Sequence, residues 1–268
     1  ASLIVLAFLL MIPMAIQAAI PDMKFRRLDT RNGLSNSQVN CTFRDSKGYV
    51  WIGTMYGLNR YDGYRVKTFY ANTRDTTTMR DNNTSEIMES FDGKLWLHQG
   101  MHYSIYDPVT ELFERNVSKE LEKYFGFNKG VEQLYIDAKK NFWVKFYDEG
   151  LYYYNPNTKK VTHFNLGYGD NELNPTYNFT AYSTCDDGVM MVTSNGELVC
   201  FDGEKGKKMY DDKWMREHGS PENKEYHLCV DKDRNIWVSA ENNSYVRVDK
   251  DGKWRIGYST LFRENQID

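Results

Sequence analysis

Few stretches of this chain combine residues that could do chemistry at a workable spacing. His98 and His102 lie four apart, which on one helix face would offer an imidazole pair to zinc. On an extended strand four residues span about 13 Å, too far for one ion unless Gly100 folds the chain back. The run DKDRN from Asp231 to Asn235 begins like a calcium loop. Ile236 stands where that loop needs glycine, however, and Asn242 where it needs glutamate. The adjacent acids Asp148 and Glu149 could attack a glycosidic bond only at a defined separation, and neighbouring acids in a connection are far more often solvated. The glycine-rich stretch from Arg44 to Gly63 fits neither the dinucleotide nor the P-loop pattern, and no GxSxG nucleophile elbow occurs. The expectation is no catalytic residue, no metal and no cofactor in this segment.

That same glycine-rich stretch is the first copy of a repeat. Taking Trp51 as anchor, the environment returns at Trp96, Trp143, Met190 and Trp237, at spacings of 45, 47, 47 and 47. Asp45, Asp137 and Asp231 precede their anchors by six residues, whereas Asp92 and Asp186 precede theirs by four, which reads as a shortened turn. In the first copy, Val39–Arg44 alternates in polarity and Asp45 to Gly48 is a turn of the Asp/Gly type. Strands are expected at 49–54, 58–61 and 66–70, joined by Met55-Tyr56-Gly57 and Asp62-Gly63. Four-stranded antiparallel units at this period predict an all-β fold, a β-propeller. Each Trp would then pack against the next blade, and the turn glycines would supply positive φ. Five blades are expected near 36–70, 83–115, 130–165, 178–203 and 224–258, with 23–30 as a closing strand. That count, with a strand awaiting partners, reads as an incomplete seven-bladed ring. Residues 118–126 and 205–219 are expected as short helices between blades.

Composition supports this picture. The chain of 268 residues is 41% hydrophobic, and its twenty Tyr, fourteen Phe and six Trp favour strands. A net charge of −3 gives no electrostatic reason to expect nucleic acid as a partner. The uncharged opening, ASLIVLAFLLMIPMAI followed by QAAIP, reads as a secretory signal with processing near Ala18 or Ala19. Residues 1–18 are thus the expected signal peptide or anchor, truncated at its start, and 19–268 the exported propeller. Cys41, Cys185, Cys200 and Cys229 lack metal-site spacing, and the register scatters them over separate strands, so buried free thiols are expected.

Propellers bind ligands at the face carrying the loops that enter the innermost strand and join the second strand to the third. In this register those are Asn36-Ser37 with Met55-Tyr56, Asn83 with His98–His102, and Lys129 with Tyr147 to Glu149. Later blades bring Asn178 with Ser194-Asn195, and Lys224 with Glu241 to Asn243. Aromatic faces beside carboxylates and amides suit sugar rings. The candidate contacts are Tyr56, His102, Tyr147, Asp148, Asn195, Glu241 and Asn242.

The stretch GLSNSQVNCTFRDSKGYVWIGTMYGLNRYDG resembles the two-component regulator propeller repeat. Gly33, Leu34, Ser35, Asn36 and Val39 match its first part, and Asp45, Gly48, Trp51, Ile52, Gly53 and Thr54 its second. Gly57 through Gly63 match its third. Later copies match more loosely: Met190 replaces the Trp, and the second copy lacks the third-strand glycine. The resemblance implies the periplasmic sensor region of a hybrid two-component system, anchored in the inner membrane. It implies further blades and domains in the same chain, a homodimeric receptor, and kinase, receiver and DNA-binding domains elsewhere. Such receptors sense oligosaccharides from complex glycans and switch on the matching utilisation genes. The repeat motif is structural, so no ligand contact is carried over from it. A secreted propeller lyase or glycosidase, or a protein-binding scaffold, are the alternatives.

Overall fold

The computed structural model describes residues 27–147, 149–164, 179–185, 188–193, 198–210, 226–231, 233, 235–240, 244–248 and 254–258. They build five four-stranded antiparallel sheets, each in chain order, which are the blades. Blade one holds β1 (Val39–Arg44), β2 (Val50–Thr54), β3 (Gly57–Tyr61) and β4 (Val66–Phe69). Blade two holds β5 (Thr84–Glu89), β6 (Leu95–Gln99), β7 (His102–Asp107) and β8 (Leu112–Glu114). Blade three holds β9 (Val131–Ile136), β10 (Phe142–Phe146), β11 (Gly150–Asn155) and β12 (Lys160–Phe164). Blade four spans β13 (Phe179–Cys185), β14 (Gly188–Thr193), β15 (Leu198–Phe201) and β16 (Gly206–Tyr210). Blade five spans β17 (Tyr226–Val230), β18 (Ile236–Ala240), β19 (Ser244–Val248) and β20 (Trp254–Tyr258). First strands of successive blades touch, β1 against β5 and β13 against β17, so they are innermost.

The anchors pack forward, blade onto blade. Trp51 is buried with Ile87, Leu95, Leu97 and Tyr106 of blade two. Trp96 is buried with Leu134, Ile136, Phe142 and Val144 of blade three, and Trp143 with Val189, Met191, Val199 and Phe201 of blade four. Met190 takes the same place against Tyr226, Ile236 and Val238. In blades one to four, one large apolar side chain thereby excludes water from the seam with the next blade.

The conserved spacing of six between Asp and Trp has a second cause. Asp45 Oδ2 accepts the Trp51 indole N–H at 2.8 Å, and Asp137 and Asp231 do the same for Trp143 and Trp237 at 3.0 and 2.9 Å. The other oxygen of each Asp accepts backbone N–H groups of its own turn. These bonds hold the Asp231 carboxyl down at about 2, chiefly through Trp237 and then Asn235. In blade two the turn is not shortened. It spans five residues, as in blade one, and Ser90 occupies the Asp position, with its N–H donating to Lys94 O as that of Asp45 donates to Tyr49 O. Trp96 Nε1 is consequently buried without an acceptor among the described residues. Blade four does tighten: Cys185 pairs with Gly188 around a two-residue connection, and Thr184 stands six before Met190.

Other expectations change on contact with the structure. Residues 27–30 of the proposed closing strand are not extended into a ladder; Asp29 caps a 3-10 turn over Thr30–Asn32, which Gly33 ends at φ 102. Residues 206–210 form an outer strand, not a helix, because they complete the ladder on β15; 211–219 lie outside the described residues. The helix after blade two is present as α1, Val117–Phe125, capped by Asn116 and closed by Gly126. The expected burial of the thiols fails where they are described: Cys41 and Cys200 are half-buried and Cys229 is exposed. Gly53 lies inside β2, as the expected strand 49–54 has it. A Cβ there would come within 2.7 Å of Thr84 O and 2.5 Å of Cys41 Sγ, so its role is close approach of the next blade.

Candidate functional site

The repeat motif of blade one is consumed by structure. Asn59, wholly buried, accepts the Ser35 N–H at 2.8 Å and donates to Ser35 Oγ and Ile52 O. Thr54 Oγ1 lies 3.0 Å from Ser35 Oγ and donates to Gly57 O. This network pins the segment entering β1 onto β2 and β3. Blade two rebuilds it with other side chains: Arg80 N–H donates to Gln99 Oε1, which also accepts the Ser104 hydroxyl, while Gln99 Nε2 donates to Thr84. A buried polar cluster satisfied in this way fixes where the entry loops emerge.

Those entry loops and the β6–β7 and β10–β11 connections frame a groove of about 750 Å³ between blades two and three. Two predicted contacts, His102 and Tyr147, both line it. Tyr147 is 55% exposed, with its ring seated against Gly130, whose added Cβ would lie 3.0 Å from Cδ2. Its N–H donates to Gly130 O at 3.1 Å, so the platform is held by backbone on one side. Tyr103, buried in the wall, accepts the Leu134 N–H at 3.1 Å and ties the two blades; burial pushes its hydroxyl up to about 12. Met101 crowns the rim at 90% exposure.

Sequence reasoning missed the opposite wall. Thr76, Thr77 and Arg80 come from the handover between blades one and two, and Glu114 to Ser118 from the end of β8 and the first turn of α1. The Arg115 guanidinium donates to the carbonyls of Thr78, Asn72, Asp75 and Met79 and to Thr78 Oγ1, at 2.8–3.0 Å. One side chain thus shapes the whole handover. The available signal was length: fourteen residues separate Phe69 from Thr84, room for a wall rather than a turn.

The other candidates fall elsewhere. Tyr56 belongs to blade one, where its ring sits 5.9 Å from Tyr70 in a separate exposed aromatic pair. Asp148, Asn195, Glu241 and Asn242 lie outside the described residues. Gly100 does fold the chain back, at φ 60. The register then pairs His98 with Tyr103 and Gln99 with His102, which puts the two histidines on opposite faces of the sheet. His98 stacks on Tyr103 at 4.7 Å and contacts Ser85 Oγ at 3.1 Å; burial lowers its pKa. Among the described residues no group of three His, Cys, Asp or Glu is placed to hold a metal ion. Glu149 is paired with Lys129, which holds its carboxyl below the ordinary range, the opposite direction from a general acid. No helix among the described residues is long and apolar enough to cross a membrane.

The family model described as "two component regulator propeller" matches residues 33–56. This stretch is thus similar to a two-component regulator propeller repeat. Histidine kinase P4 of Formosa agariphila is 32% identical over 78 residues, covering 29% of this chain and 6% of the kinase. The extracellular domain of the hybrid two-component system BT3049 of B. thetaiotaomicron superposes with a TM-score of 0.47 at 18% identity, over 87% of this chain and 36% of that one. PorZ, a surface component of the type-IX secretion system of Porphyromonas gingivalis, gives 0.50 at 16% identity, over 86% of this chain and 34% of its own. The chain therefore spans about a third of the length of these structures, and the likeness concerns the fold.

Proposed function

We propose that this chain is the extracytoplasmic sensing propeller of a hybrid two-component receptor, and that its ligands are oligosaccharides from complex glycans. The regulator-propeller repeat at 33–56 and the partial match to a histidine kinase support the receptor half of this reading. The apolar stretch over residues 1–18 supports export to the periplasm, with the full-length receptor held in the inner membrane. The observation that carries the ligand half is the groove between blades two and three. It sets an exposed Tyr147 and His102 among the hydroxyls of Thr76, Thr77 and Ser118 and the amide of Asn116. An aromatic face takes the CH face of a sugar, and the surrounding directional groups take its hydroxyls. Binding would reach the kinase by favouring one arrangement of a receptor dimer over another. No catalytic role is assigned to this segment; the kinase chemistry belongs to other domains.

Calorimetry of the full-length protein against a panel of glycan oligosaccharides tests the reading. Binding to a member of the panel, weakened about tenfold or more by Tyr147→Ala, is the expected result. Turnover of the same oligosaccharides, or indifference of every affinity to Tyr147→Ala, would refute it.

A further inference from the structure

The groove carries the opposite sign of charge from the chain around it, and this names the class of sugar. The chain as a whole has a net charge of −3, yet two arginines, Arg80 and Arg115, line the groove against one glutamate, Glu114. Glu114 Oε1 already accepts the Asn116 N–H at 2.6 Å. Nearby acids are engaged as well: Asp75 accepts from Thr77, Asp81 from the Asn83 N–H, and Glu149 is paired with Lys129. Arg115 spends its donors on five backbone and hydroxyl acceptors, none of them a carboxylate. Arg80 is fixed at its backbone, where its N–H donates to Gln99 Oε1. Arg80 is exposed, lines the groove, and has no side-chain hydrogen bond or ion pair to another described residue. We propose that the groove binds a uronate-containing oligosaccharide, with the sugar carboxylate on Arg80 and a ring face on Tyr147.

The proposal rests on the oligosaccharide reading above and narrows it. A guanidinium presents two parallel N–H donors that match a carboxylate, and a planar pairing of this kind positions a pyranose ring as well as attracting it. Arg115 stays bonded to the handover and adds field rather than contact. The groove volume of about 750 Å³ lies within the range of small-ligand pockets.

The test compares matched charged and neutral rings on the full-length protein. Galacturonate trimers, mannuronate trimers and hyaluronan tetrasaccharides are titrated beside their methyl esters and beside neutral galacto- and cello-oligosaccharides. At least one uronate should bind ten- to a hundred-fold more tightly than its ester. Arg80→Gln should remove that difference by weakening the uronate far more than the ester, and Arg80→Lys should restore part of it. Arg80 is exposed and its fold contact is through the backbone, so both variants are expected to fold. If uronate and ester bind alike, or Arg80→Gln leaves the uronate affinity untouched, the inference is overturned. If neutral oligosaccharides bind in a Tyr147-dependent way while uronates do no better, it falls and the oligosaccharide reading stands. Absence of binding by every sugar overturns both.

Discussion

Glu89 offers the sharpest test of how the blades are fastened. It lies at the end of β5, 6% exposed, and reaches both ways round the ring. Its Oε1 accepts the Ser46 N–H and hydroxyl of blade one at 3.0 and 2.6 Å. Its Oε2 accepts Lys140 Nζ of blade three at 2.8 Å, and Lys140 also donates to the Glu89 carbonyl. Burial works against the charge, but Lys140 and Ser46 outweigh it and lower the carboxyl pKa. Glu89→Ala removes three charge-assisted bonds, nominally about 1.5–3 kcal/mol each. Lys140 is 36% exposed and Ser46 exposed, so water replaces much of what they lose. The ion pair is accordingly discounted to about 1 kcal/mol, and the whole substitution to about 2–3 kcal/mol. Thermal unfolding followed by calorimetry should show a fall of roughly 5–10 °C. Glu89→Gln, which can still accept from Ser46, should cost about half as much. The sign with pH follows from the lowered pKa: the contribution is full above the unfolded carboxylate range and disappears as pH falls through the folded value. The gap between wild type and Glu89→Gln should therefore close at acid pH. A gap unchanged from pH 7 to pH 2, or a Glu89→Ala variant as stable as wild type, would refute the clasp.

Three further outcomes follow from the seams. Gly53→Ala drives a methyl group into Thr84 O and Cys41, so it should cost roughly 1–3 kcal/mol by denaturant unfolding, whereas Gly63→Ala, with open space around it, should act only through its backbone φ of 98°. Exchanging Ser90→Asp with Asp92→Ser would give Trp96 the acceptor it lacks; a gain of about 1 kcal/mol is expected, and Trp96→Phe should then cost more than it does in the parent. Acid should loosen the blades together, since Asp231 titrates near 2 and Asp62, Asp202 and Glu111 are also lowered. Their contribution is present above the ordinary carboxylate range and is lost toward pH 2, so circular dichroism showing a flat melting temperature between pH 5 and pH 2 would count against it.

The blade pattern was legible because its causes are local and repeated. Strand alternation, Asp/Gly turns and one large apolar anchor per copy all sit within a few residues of one another, so the period of 45 to 47 exposes them. The indole–carboxylate bond was written in the same spacing of six, but its chemistry emerged only from comparison between blades. Where Asp is absent, as at Ser90, the indole goes unpaired; where the turn shortens, at Thr184, the indole itself is replaced by Met190. The groove was only half legible. His102 and Tyr147 sit at register positions that any blade would bring to the same loop-bearing face, and the period finds those. Arg80 and Arg115 lie in the handover between copies, where nothing repeats. Their proposed roles depend on a guanidinium wrapping five acceptors spread over residues 72–79 and on another with no partner among the described residues. A periodic scaffold is read from what recurs; the recurring residues here are spent on turns and seams, which is why the proposed recognition falls to the handover walls.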